Sequence, residues 1–252
     1  NVEETQQEVG FSTFAGKTTR AENSYETETL GLEKHHDNFK VWGYKNTTTA
    51  YVFDGVTVTA AATEGEWTYS PTKYWDKAAN TYEFYAASPA DAAWVLNENT
   101  TAQDDNYFII GSYELKDETH SSTVYQESFK TLTKNKDLLI ASPEKVLEYQ
   151  ILGAEKVDFE FNHILSRLNI TVKKDAALPE VELKSISVKG LVNIAGFSEK
   201  DAANAAGSNT RWTKTENTYN LTGNALATVG TDALYVLQSL VIPQDAAYED
   251  ID

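Results

Sequence analysis

The 252-residue chain contains no cysteine and no methionine. Without cysteine there are neither disulfides nor thiolate metal centres. Without methionine the chain does not open on an initiator residue, so Asn1 reads as a processed or engineered start. No apolar run approaches the ~20 residues that a helical membrane span requires. Bases are scarce: 21 Lys and Arg stand against 38 Asp and Glu, a formal net charge of -17. Nucleic acid and anionic lipid are recognised through clustered Lys and Arg, so both are poor partners for such a surface. The excess of acid instead keeps molecules apart by self-repulsion.

Catalytic signatures are missing too. There is no G-x-G-x-x-G, P-loop, H-E-x-x-H or EF-hand run. No cofactor is expected, and the chain reads as a protein that is not an enzyme. The four histidines are His35, His36, His120 and His163. Adjacent residues on a strand point to opposite faces, so His35 and His36 are expected at the surface, unable to share a metal. Asp104-Asp105-Asn106 reads as an acidic loop tip rather than a calcium site.

What the chain does have is β-forming residues. Hydrophobic residues make up 41%, with 14 Tyr, 10 Phe and 5 Trp. Such residues suit a pleated, half-buried surface. Alternating runs occur at 39–44, 66–69, 81–87, 107–110, 138–141, 181–188, 218–221 and 233–241. Many short strands separated by turn signals indicate a sandwich or barrel. "AYVFDGVTVTA" (50–60) predicts a two-residue hairpin, because Asp-Gly tolerates φ > 0 at both turn positions. Ser-Pro at 88–89 and 142–143 predicts short helices with capped starts, as does Ser198 ahead of Asp201 and Gly207. A domain boundary is expected near Gly153. The aromatic group Trp67, Tyr69, Tyr74, Trp75, Tyr82, Phe84 and Tyr85 either packs a core or presents a row of rings to sugars. Alternation favours the core.

The stretch "VDFEFNHILSRLNITV" (157–172) holds two alternating runs in opposite phase. Val157, Phe159 and Phe161 form the first; Leu168, Ile170 and Val172 form the second. One residue of slip inverts a strand, so the register must break between Asn162 and Arg167 through a bulge or a tight turn. His163 and Ser166 sit in that break. As a base and nucleophile they lack a defined acid partner and a Gly-flanked elbow. His163 and Arg167 are better read as satisfying carbonyls freed at the interruption.

That stretch resembles the mid-chain signature of the Bacteroidetes fimbrillin family, the type V pilins and Mfa-like surface lipoproteins. "YWDKAANTYEFYAASP" (74–89), "DLLIASP" (137–143) and "LVIPQ" (240–244) resemble further segments of that family, in the same order. Asp76 stands where the family usually has Pro. The resemblance implies an all-β chain of two tandem transthyretin-like β-sandwich domains with a few short helices. The sequence divides them as 1–155, including a leader strand at 8–14, and 156–252. It also implies export as a lipoprotein to the outer-membrane surface, with the signal removed, and assembly with other pilin subunits. The chain stops soon after "IPQ", where the family normally has another strand, so the second domain is expected to lack its last strand.

The resemblance also gives "EVGFSTFAGKTTRAENS" (8–24) a role. Val9, Phe11 and Thr13 share one face of a strand, with Phe14 near its end and Arg20-Ala21 beyond a polar linker. In related pilins a trypsin-like, Arg-specific protease cuts after such an Arg, and the strand is lost. A neighbour's strand then fills the groove. Arg20 and Ala21 match that cleavage position by context. Val9, Phe11 and Phe14 would be the removable strand. The alternative is a non-polymerising surface adhesin that binds a host glycan or protein.

Overall fold

The structure is a computed structural model that describes residues 6–15, 31–45, 51–98, 106–116, 134–141, 143–200, 211–215, 218–223 and 227–244. The chain divides into two units. The first is Asn1–Asn106 with Asp137–Ile164, and the second is Tyr107–Lys136 with Leu165–Asp252. This differs from a cut at 155/156. The strand from Val157 hydrogen-bonds into the first sheet, and the strand from Tyr107 pairs into the second unit. Long-range pairing, which local sequence does not encode, decides both.

The first unit carries β1 (Phe11–Ala15), a single 3₁₀ turn (Leu32–Lys34), β2 (Asn38–Lys45), β3 (Tyr51–Ala60), β4 (Trp67–Tyr69), β5 (Thr81–Ser88) and β6 (Val95–Asn97). The chain passes through β7 (Tyr107–Glu114) in the second unit. It returns as β8 (Leu139–Ala141), β9 (Glu144–Leu147), helix α1 (Glu148–Gly153) and β10 (Val157–His163). An eight-stranded sheet runs β1-β10-β8-β5-β2-β3-β4, with β9 also paired to β5. Alternation fixes which face looks inward. In β10, Val157, Phe159 and Phe161 are buried while Asp158, Glu160 and Asn162 face water.

The predicted hairpin at Asp54-Gly55 is not a turn. β3 runs straight through it as one ten-residue strand. Val41 pairs with Val56 and Gly43 with Phe53, so β3 has one residue more than β2 across this interval. The extra residue forms a bulge with Gly55 at φ 60, a backbone conformation that suits glycine. The Ser-Pro signals also yield strand ends rather than helix starts. Ser88 closes β5, where its hydroxyl donates to the Asn38 carbonyl and the Asn38 side chain accepts the Ala90 N–H. Pro143 leads into β9, and the helix begins only at Glu148. There the Gln150 side chain accepts the Leu147 N–H, and Ala154 closes the helix in a left-handed conformation. The helix predicted after Ser198 falls on residues outside those described.

The second unit contains β7, β11 (Ser166–Val172), β12 (Val181–Leu183), β13 (Ser187–Val192), β14 (Ile194–Ser198), β15 (Trp212–Lys214), β16 (Thr218–Thr222), β17 (Ala227–Val229) and β18 (Leu234–Val241). β14 pairs with both β7 and β15. The antiparallel pairs β11–β18, β12–β17 and β13–β16 complete the unit's described strands. Phe108, Ile110, Phe197, Trp212, Val236 and Leu240 are buried within it. The phase change after Asn162 has its explanation here. β10 and β11 belong to different sheets, so the chain crosses between units at Ile164–Leu165 instead of bulging within one strand.

Candidate functional site: the slot holding the N-terminal strand

β1 lies at one end of the first sheet's strand order. It runs parallel to β10, with Phe11 opposite Val157 and Ala15 opposite Phe161. The Val157 N–H donates to the Gly10 carbonyl at 2.9 Å. Just upstream the chain bonds in the opposite direction. The Val9 N–H donates to the Lys73 carbonyl, and the Trp75 N–H to the Gln7 carbonyl, each at 2.9 Å. The Tyr69 hydroxyl adds a 2.7 Å bond to the Val9 carbonyl. Burial pushes that phenol up to about 12, so it remains a donor at neutral pH. The N-terminal segment therefore bridges β10 on one side and the stretch after β4 on the other, in staggered halves. Among the described pairings, residues 11–15 have a strand on one side only.

The strand's alternation decides what it contributes. Val9, Phe11 and Ala15 are buried; Phe14 is 37% exposed. Phe14 thus belongs to the strand but not to its apolar anchor. Phe11 sits at the centre of an aromatic cluster. Its ring lies 5.6 Å from Phe53, 5.5 Å from Tyr69, 5.8 Å from Phe159, 6.1 Å from Phe39 and 6.2 Å from Phe84. Burying one such side chain contributes about 1.5–3 kcal/mol. Withdrawing the strand would bare the backbone of β10, the backbone of Lys73–Trp75 and the floor of this cluster. Such an edge with an apolar groove is a template for another strand. Thr13 also faces inward, and its Oγ1 is buried with no hydrogen-bond partner among the described residues. On the opposite face the Ser12 hydroxyl donates to the Asp158 carboxylate. Arg20 and Ala21 lie outside the described residues.

The other candidate residues resolve as follows. Of the aromatic group, Trp67, Trp75, Tyr82, Phe84 and Tyr85 are buried, and Tyr74 is exposed. They pack a core and form no row of open rings. His35 and His36 are buried, not at the surface, because they follow a 3₁₀ turn rather than lying on a strand. His163 does have an acid partner. Its Nδ1 meets the Asp137 carboxylate at 2.6 Å, where a bond to a backbone carbonyl was expected. Spacing in sequence gave no sign of this pair, since 26 residues separate its members. Among the described residues no helix is long and apolar enough to cross a membrane. His120, Asp104 and Asp105 lie outside the described residues, and Asn106 is buried.

Three solved structures share the fold. A fimbrial protein from Bacteroides vulgatus is 14% identical with a TM-score of 0.52; the match covers 94% of this chain and 77% of that one. A candidate cell adhesion protein from Bacteroides uniformis is 19% identical with a TM-score of 0.50, covering 94% and 74%. Another from Bacteroides ovatus is 14% identical with a TM-score of 0.52, covering 96% and 80%. No curated protein matches the chain. The family model described as fimbrillin-like matches residues 19–251, beginning just after β1. With nearly the whole chain matched, and with an all-β architecture shared with fimbrial proteins, this chain belongs to the fimbrillin-like family.

Proposed function

We propose that this fimbrillin-like protein is a structural or accessory subunit of a cell-surface pilus, without catalytic activity, that joins its neighbours by strand exchange. Cleavage after Arg20 by an Arg-specific, trypsin-like protease frees the leader strand. A strand from another pilin subunit then takes its place beside β10. Export as a lipoprotein to the outer membrane would deliver the subunit to that protease and those partners.

The observation that carries this reading is the position of β1. It is a terminal strand by hydrogen bonding yet places Phe11 in the core. Among the described strands, residues 11–15 pair on one side only, so their release breaks no ladder other than that with β10. The apolar cavity it leaves favours a replacement over an empty slot. The stagger of its bonds supports stepwise withdrawal, with residues 7–9 separating from Lys73–Trp75 and residues 10–15 from β10.

The test is mild trypsin treatment followed by mass spectrometry, denaturing gels without boiling, and electron microscopy. A single early cut after Arg20, followed by ladders or filaments, is the expected result. Adding a synthetic peptide of residues 6–15 in excess should suppress those ladders by refilling the slot. If Arg20→Ala leaves processing and assembly unchanged, the proposed trigger is wrong. A glycan array separates this reading from that of a non-polymerising adhesin.

A further inference from the structure

The first unit also buries His35, His36, Asp137 and His163 together. Their relative exposures are 4% for His35, 7% for His36 and 6% for Asp137. The His163 side chain is 6% exposed. Three separate parts of the chain meet here. His35 and His36 follow the 3₁₀ turn, and both their N–H groups donate to the Leu32 carbonyl. Asp137 stands two residues before β8. His163 ends β10, in register with Leu139 of β8.

The side chains point at one another. The His163 Nδ1 and Asp137 Oδ2 are 2.6 Å apart. The His35 ring meets the His163 ring edge-on, with centroids 4.9 Å apart. One donor atom from each of His35, Asp137 and His163 lies within 4.8 Å of the other two. The Asp137 Oδ1 is buried with no hydrogen-bond partner among the described residues. His36 plays a different part. Its Nε2–H donates to the main-chain carbonyl of Asp137 at 2.7 Å, holding the backbone that carries the carboxylate.

We propose that His35, Asp137 and His163 are the protein ligands of a divalent first-row transition metal, zinc by preference. Two imidazoles and a carboxylate form a donor set suited to zinc, with a fourth position left for water. Calcium and magnesium call for six or more oxygens, which this set does not offer. Bonds of ~2.0–2.1 Å in a tetrahedron put ligand atoms about 3.3–3.4 Å apart. Metal binding would have to draw the three donor atoms, now within 4.8 Å of one another, to that spacing. The metal would satisfy the otherwise costly Asp137 Oδ1, while His36 fixes the backbone that carries the carboxylate. The site ties the chain that follows the leader to the ends of β8 and β10.

The experiment uses the full chain, stripped with EDTA and desalted at neutral pH. Zinc is added under calorimetry and in thermal melts. One equivalent bound, with a melting temperature raised by roughly 5 °C or more at saturating metal, is expected. Cobalt(II) should give the intense visible absorption of a tetrahedral centre. His35→Gln and Asp137→Asn should each remove stoichiometric binding. His120→Gln should retain it. X-ray absorption of the zinc-loaded wild type should show two imidazoles and one carboxylate, a readout that needs no variant to fold. The proposal is overturned if the wild type binds no equivalent of zinc or gains no thermal stability. It is equally overturned if absorption shows another donor set, or if binding survives His35→Gln and Asp137→Asn.

Discussion

The Phe11 ring lies nearly parallel to that of Phe159, 22° between planes and 5.8 Å between centroids, across the parallel pair β1–β10. The two residues are 148 positions apart in sequence, yet alternation in each strand turns both to the same interior.

Phe11→Ala should therefore destabilise the first unit by about 3–5 kcal/mol, the cost of a large-to-small change in a packed core. Phe14→Ala, with its ring partly in water, should cost under about 1 kcal/mol. Urea denaturation of the two variants checks this. Equal effects would show that the strand is not anchored by its inward face.

Thr13→Val should stabilise the strand. The threonine hydroxyl is buried without a partner among the described residues, and such a group costs about 1–3 kcal/mol. Valine keeps the shape and removes the hydroxyl. A rise in melting temperature and slower loss of the leader after cleavage are expected. A lower melting temperature would contradict this account.

Gly43→Ala should be destabilising by about 1–3 kcal/mol through overpacking. A Cβ at Gly43 would stand 2.8 Å from the Phe84 ring and 3.2 Å from the Phe53 ring. Both rings are fully buried and touch Phe11, so neither can move aside freely. Denaturation combined with amide exchange at β2 would reveal the strain.

Glu144→Gln should change the pH dependence of stability. Burial raises the Glu144 carboxyl above its ordinary range, and the charges of Asp158 and Glu160 raise it further. Its folded value thus exceeds its unfolded value of about 4.3. The favourable contribution is complete below that unfolded value and is lost as pH rises through the folded one. The variant should be the more stable protein at pH 7, by under about 1 kcal/mol because solvent screens a partly exposed carboxylate. Near pH 4 the advantage should fade. Urea denaturation at both pH values decides it, and a less stable variant at pH 7 would refute the assignment.

The sequence by itself showed many of the strands, though not β6 or β9, and which way their residues face. Period-2 alternation sends Phe11, Phe159 and Phe161 inward and Phe14, Asp158 and Glu160 outward, because successive side chains on a strand must take opposite sides. It also carried the motifs shared with the fimbrillin-like family. Tertiary structure decided what no local pattern can: which strand lies beside which. Asp54-Gly55 tolerates a turn or a bulge equally well, and pairing with β2 on both sides of it selected the bulge. The opposite phases of β10 and β11 demanded a break, but only their membership of separate sheets showed why. His35, Asp137 and His163 look like scattered polar residues until the β8–β10 register and the 3₁₀ turn bring them together. Local chemistry fixes the orientation of a side chain; its partners depend on contacts between segments separated in sequence, which no local pattern encodes.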